Sequence, residues 1–364
     1  MGIISDKEKF ARLRLSRTEL IGARGFWNLI RKYGSAENAI EAVSDKYQIC
    51  SLDDIYQELD KTKALGANLI FFEDEDYPPL LKQISDAPPM LTFLGARENL
   101  KNFNKRNLIS VVGARNSSII ANKFCSDIVS TLGRNDIVIV SGLARGLDAA
   151  AHKASLQTGT IAVLASGIDV VYPRENAKLY DQIKEQGIIF AEMPFGSAAQ
   201  AHLFPKRNRI IAGLSSGTVV IEAAQQSGSL ITAKCALEYG RDVFAAPGFP
   251  SDLKSEGSNR LLKEGAIMVL SADDILEHVL HQNYVQESLP LDKVEKLCDS
   301  DNIEVFDYQN KILNLLSSVP ITIDELIENT GLSPQNILMI LLELELQNKI
   351  VRLSGQKICL SPVG

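Results

Sequence analysis

Residues 137–148 read Ile137-Val-Ile-Val-Ser-Gly-Leu-Ala-Arg-Gly-Leu-Asp148. Four β-branched apolar residues in a row, without polar alternation, mark a strand covered on both faces. Glycines and small residues follow at once, and then Asp148-Ala-Ala-Ala-His152, a helix pattern. Strand, glycine turn and helix in that order begin a βαβ unit. The signal recurs on both sides. Short apolar runs at Leu108–Val112, Ile161–Leu164, Ile188–Ala191, Thr218–Ile221 and Val243–Ala245 are separated by segments long enough for crossover helices. The expected fold of residues 76–280 is therefore α/β: a Rossmann-like, doubly wound, mostly parallel sheet.

The flanks differ in character. Residues 1–75 read as a helical module, SAM-like or helix-hairpin-helix-like, with eight Lys or Arg and two Glu between Lys7 and Lys32. Gly22 and Gly25 form a turn whose amides could face phosphate; a solvated basic face is the equal alternative. Ser35 is the expected N-cap of the next helix. Residues 281–302 are polar, contain Pro290 and read as a linker. Residues 303–364 carry helix patterns near Tyr308–Ser317, Ile323–Thr330 and Ser333–Asn348. Short strands follow at Ile350–Leu353 and Lys357–Leu360, around Ser354-Gly355. That order predicts a winged-helix-like module.

The 364-residue chain carries 38 basic and 45 acidic residues, a net charge of −7. A bound polyanion must therefore meet a local basic patch against the global field. Cys50, Cys125, Cys235, Cys298 and Cys359 are dispersed, odd in number and without a Cys-x-x-Cys pair. They suit reduced thiols and a cytoplasmic location. Four histidines and scattered thiols make a metal site unexpected, and no cofactor is expected. The first residues turn charged before any apolar run suited to a signal peptide, and no apolar stretch reaches membrane-spanning length.

Ligands of such sheets bind beyond the carboxyl ends of the strands, at helix N-termini that favour anions. Four segments place small residues or cations there. Gly113 turns tightly after its strand, and Arg115 offers a planar fork of donors suited to phosphate. Ser141, Gly142, Arg145 and Gly146 repeat the theme after the next strand. Phe204-Pro-Lys206-Arg207-Asn208-Arg209 sets three cations in four residues, and Gly228-Ser229 begins a helix pattern. Each alone is ordinary turn chemistry. Four on one sheet suit several phosphates in a row, as in a nucleic-acid backbone, and a single strand also needs stacking surfaces such as Tyr172 and Phe204.

Enzyme readings are weaker. Gly-x-Gly-x-x-Gly and Gly-x-x-x-x-Gly-Lys-Ser/Thr are both absent after the expected strands. Gly217-Thr-Val-Val-Ile-Glu222 is similar to a signature of nucleotide N-glycosidases, so a phosphoribohydrolase-like, nucleotide-processing enzyme is the alternative. The spacing departs from theirs, and a structural role for Glu222 is expected. His152 is expected to pack and hydrogen-bond rather than to act as a base.

Ordered segments from Ser110 to Ala266 resemble the DNA-processing protein A family, also called DprA or Smf. They are Val112-Gly-Ala-Arg115, Ser141–Asp148 with Ala151-His152, Gly159–Leu164, Gly167-Ile-Asp169, Tyr172-Pro173, Phe204–Gly213, Ser227–Ala233, Glu238–Arg241, Ala246-Pro-Gly248 and Gly257-Ser-Asn259. The resemblance implies a single-stranded DNA-binding protein that protects incoming DNA and helps load RecA in natural transformation. It also implies a homodimer through the Rossmann-like domain. The family's phosphate-binding residues fall on Arg115 and Arg145, with Lys206–Arg209 alongside. Ala114 stands where the family motif commonly has Ser.

The C-terminal module carries a separate expectation. Its long helix has Glu343 and Glu345 and no Lys or Arg, unlike a helix that reads a DNA groove. Two apolar stripes run along it, Ile337-Leu341-Leu344 and Leu338-Leu342-Leu346. One suffices for a small core, so the other is expected to meet protein, in another domain or a partner. This also counts against a transcriptional regulator that acts through its winged helix.

Overall fold

The computed structural model describes residues 5–279 and, beyond them, 312–313, 315–316, 321–347, 349–353 and 357–360. The expected linker 281–302, most of the helix expected near 308–317 and the turn at Ser354-Gly355 lie outside the described residues. Two compact units divide the chain after residue 281.

The first unit opens with α1 (Asp6–Arg17), α2 (Ala23–Tyr33), α3 (Ala36–Val43) and α4 (Leu52–Ala64). Ser5, Ser35 and Ser51 each cap a helix by accepting from the backbone N–H three residues on. The chain continues as β1 (Asn68–Phe71), α5 (Pro79–Lys82), β2 (Met90–Leu94), α6 (Arg97–Phe103), β3 (Asn107–Val112), α7 (Ile119–Arg134) and β4 (Ile137–Ser141). Then come α8 (Leu147–Ser155), β5 (Thr160–Leu164), α9 (Ala177–Gln186), β6 (Ile188–Ala191), α10 (Leu203–Leu214), β7 (Gly217–Val220), α11 (Ser229–Glu238), β8 (Asp242–Ala245), α12 (Glu256–Lys263) and β9 (Ile267–Met268).

The nine strands form one sheet in the order β1-β2-β6-β5-β4-β3-β7-β8-β9. From β6 to β9 all pairs are parallel, while β1 and β2 join antiparallel at the β6 edge. The sheet thus begins at residue 68, before the expected boundary at 76. Side chains alternate between its faces. Val138, Val140, Ile161 and Val163 meet α10 and α5 through Ile210, Ile211 and Leu81. Ile109, Val111, Ile137 and Ile139 meet α7 and α8 through Ile128, Leu132 and Leu147. Both faces are covered, which is why these strands read as unbroken apolar runs.

The helical module belongs to this unit. Arg17 donates from Nη1 to the Glu192 carbonyl at 2.8 Å, and the Trp27 indole donates to the Ala87 carbonyl at 2.8 Å. Part of its basic stretch is taken up by the chain itself. Arg12 pairs with Glu8 and Glu73, Arg17 with Glu58, Lys9 with Asp74 and Arg24 with Asp86. Lys7, Arg24, Arg31 and Lys32 remain exposed, so part of the basic face is solvated.

The second unit contains β10 (Ile321–Thr322), α13 (Ile323–Thr330), α14 (Pro334–Leu346), β11 (Ile350–Leu353) and β12 (Lys357–Leu360). The three strands pair in the order β10-β12-β11. Thr322 and Glu325 form a capping box on α13, and Gly331 ends it at φ 69°. No helix among the described residues is long and apolar enough to cross a membrane.

Candidate nucleic-acid interface

The chain leaves β3 toward β4 and leaves β7 toward β8, on opposite sides of the β3–β7 pair. Loops beyond their carboxyl ends therefore diverge and open a crevice. A cleft of about 870 Å³ lies there, with Gly113, Arg115, Tyr172, Phe204, Asn208 and Lys254 in its wall. A second cavity of about 240 Å³ is lined by Arg115, Gly142, Arg145, Tyr172, Phe204 and Arg207.

Three arginines meet at this place in different states. Arg115 is exposed, with its guanidinium 4.7 Å from the Phe204 ring centroid, a cation–π distance. Tyr172, half-exposed, meets Phe204 edge-on at 5.8 Å. Arg145 is exposed and forms an ion pair with Glu175. Arg207 is buried, and its Nη1 donates to the carbonyls of Gly142 and Val163. Burial pulls Arg207 down to about 10, although the nearby Asp148 carboxylate works against this.

The loop after β4 is built around Asp148. Its Oδ2 accepts from Gly142 N at 3.1 Å and Ala144 N at 3.3 Å. Burial pushes the Asp148 carboxyl up, while Arg207 and the two amides hold it back. The Gly142 amide, from a residue expected at an external phosphate, already holds the chain's own carboxylate. Ser141 is buried and donates to the Val111 carbonyl at 2.7 Å, so it braces strands instead of facing ligand. Glu222 is buried and accepts from Ser118 N at 2.8 Å, which fixes the loop between β3 and α7. His152 is buried, 2.7 Å from the Thr160 hydroxyl, and burial pushes it down to about 3. Both residues have structural tasks.

The expected cations divide. Arg115, Arg145 and Arg207 line one cavity. Asn208 lines the larger cleft together with Arg115 and Arg207, though not Arg145, and donates to the Gly228 carbonyl at 3.0 Å, tying α10 to the start of α11. Gly228 and Ser229 line the cleft as well. Arg209 does not: it faces away, bound to Glu192 and the Asp86 carbonyl. Segment 203–214 is a helix, and residues 207 and 209 point about 200° apart on a helix. Lys206 is exposed and lies outside both linings, as does Gly146. Lys254 was not foreseen. It lines the cleft and donates from Nζ to the Asn116 carbonyl at 3.1 Å. A lone Lys in the 246–255 loop carries no sequence signal, because only the β3-β7-β8 adjacency brings it there.

Sequence and fold comparisons show what this chain is similar to. Residues 68–280 match the family described as DNA recombination-mediator protein A. Residues 306–356 match the DprA winged helix domain, and residues 6–60 the DprA-like N-terminal HHH domain. Protein Smf of Escherichia coli is 38% identical over 291 residues, 79% of this chain and 76% of that protein. DNA processing protein DprA of Streptococcus pneumoniae is 46% identical over 205 residues, 56% of this chain and 71% of that one. The X-ray structure of DNA processing protein A from S. pneumoniae superposes with a TM-score of 0.64 at 33% identity, covering 76% of this chain and 98% of that chain. A structure of the Helicobacter pylori protein, concerned with its single-stranded DNA binding mode, superposes with a TM-score of 0.54 at 25% identity, covering 59% and 96%. With the family pattern spanning more than half its length, the chain belongs to the DNA recombination-mediator protein A family.

Proposed function

We propose that this protein binds single-stranded DNA along the crevice at the β3–β7 switch point, protects incoming DNA and helps load RecA in natural transformation, with no covalent chemistry of its own. One observation carries the reading. In a chain of net charge −7, the exposed Arg115 and Arg145 and two neighbouring aromatic rings converge on one cavity that the buried Arg207 also lines. Cations for phosphates beside rings for bases are what a single strand needs. The H. pylori relative, studied for its single-stranded DNA binding mode, supports the same ligand.

Arg115 and Arg145 hold phosphates, with Lys254 added to them. Gly228 and Ser229 offer the amide end of α11, and Tyr172 and Phe204 stack bases. Arg207 and Asn208 brace the floor and wall. The protein works in the cytoplasm as a homodimer that pairs through the sheet domain; the β9 edge, where Met268 and Leu270 are exposed, suits such pairing. Residues 303–364 meet a protein partner. The exposed Leu338, Met339 and Leu342 suit the apolar face of an amphipathic segment.

The test is a gel-shift series with single- and double-stranded DNA of equal length at several salt concentrations. Single strands are expected to bind tighter. Arg115→Ala is expected to weaken binding for every sequence and to reduce the salt slope by about 0.7, the value of one single-strand phosphate contact. An unchanged slope would move Arg115 off the DNA path.

A further inference from the structure

Arg145 is already occupied. Its guanidinium pairs with the carboxylate of Glu175, which stands on the short 3-10 turn Arg174–Asn176. That turn is fastened to the loop carrying Arg145: the buried Asn176 side chain donates to the carbonyls of Leu143 at 3.0 Å and Ala144 at 3.2 Å. The backbone therefore holds acid and base side by side, where two free surface side chains would have to lose rotamer freedom to meet. Arg145, Tyr172 and Pro173 line the smaller cavity, so the Arg145 end of the pair belongs to it. The two side chains remain 58% and 50% exposed, within reach of an incoming polyanion.

We propose that Glu175 is an internal stand-in for a DNA phosphate: it neutralises Arg145 in the free protein and is displaced by the strand. The inference rests on the DNA-binding reading of this cleft. Carboxylate and phosphodiester both offer anionic oxygens to a guanidinium fork, so each can replace the other. DNA binding at Arg145 is then an exchange of one anion for another. Less net charge is gained, the strand is held less tightly there, and its release to a second protein costs less. Counterion release is affected in the same way. A phosphate met by an already neutralised arginine adds little to the salt slope, because the freed Glu175 takes up a cation of its own.

The test uses the full-length protein and a fluorescent oligothymidylate, with affinity measured by anisotropy across a salt series. Glu175→Gln is expected to tighten binding by about two- to fivefold at low salt, the range of an exposed ion pair, and to steepen the slope by about 0.7. Arg145→Ala is expected to weaken binding less in the wild type than in the Glu175→Gln background. In the Arg145→Ala background, Glu175→Gln should gain nothing. Matching melting temperatures exclude a folding defect as the cause. A gain from Glu175→Gln that persists without Arg145 overturns the stand-in and leaves only general repulsion. Unchanged affinity and slope in Glu175→Gln, with Arg115→Ala still weakening binding, overturns the stand-in but spares the DNA reading. If Arg115→Ala and Arg145→Ala in the Glu175→Gln background both bind like their parents, the DNA reading and the inference fall together.

Discussion

Gly146 turns at φ 70°, and a Cβ there would sit 2.3 Å from the Ala114 carbonyl oxygen and 2.6 Å from that of Arg115. It lets the loop after β4 press against the loop that presents Arg115. It lines neither cavity, so it serves the site by packing and not by touching ligand. Gly228 has nothing within 4 Å and an ordinary φ of −61°. The two glycines read alike in the sequence but should respond differently. Gly146→Ala is expected to cost about 2–4 kcal/mol in urea unfolding, from left-handed strain plus a clash with backbone. Gly228→Ala is expected to stay within about 0.5 kcal/mol. Equal losses would contradict this account. Arg207 and Arg209 teach the same point: two residues apart on a helix, one enters the cavity and the other turns back to Glu192.

At the scale of elements, the six central strands lie where apolar runs predict them, because a strand buried on both faces has no room for polar residues. β1, β2 and β9 were missed. β9 has only two residues and β1 four, too short for a run to mark, and the five-residue β2 is interrupted by the polar Thr92. Helix α14 shows both stripes that the sequence contains. Ile337, Leu341 and Leu344 are buried in the small core, whereas Leu338 and Leu342 are exposed; the Leu346 side chain lies outside the described residues. Periodicity locates stripes but does not say which one a neighbour covers. Leu341→Ala is expected to cost about 2–5 kcal/mol, the range for a buried leucine. Leu342→Ala is expected to cost under about 0.5 kcal/mol. Thermal melting of the two variants distinguishes them, and a large loss at Leu342 would mean that its face is already covered.

For the whole molecule, charge is arranged by pairing rather than by total. Among the N-terminal cations, Arg12 and Arg17 are buried against carboxylates within residues 5–279, while Arg115 stays exposed at the crevice. Arg12 binds Glu8 and Glu73 with its side chain only 7% exposed. Arg12→Ala leaves two carboxylates facing each other without a cation, and a loss of about 3–5 kcal/mol is expected. Trp27 is the single tryptophan, and its indole bridges the helices to the sheet domain at Ala87. Its fluorescence in urea should therefore report one transition, coincident with circular dichroism, that moves to lower denaturant in the variant. An early, separate tryptophan transition would show that helices and sheet unfold independently.

The order of apolar runs and glycine turns was enough to determine a doubly wound sheet, its winged-helix-like companion and the rim where the crevice opens. Those features follow from local periodicity and from the stereochemistry of glycine, which act over a few neighbouring residues. Which cations remain available at that rim was decided only in three dimensions. An arginine is free or spent according to the carboxylates that distant strands and helices bring beside it, and no local pattern encodes those meetings of Arg12 with Glu73, Arg209 with Glu192 or Arg145 with Glu175.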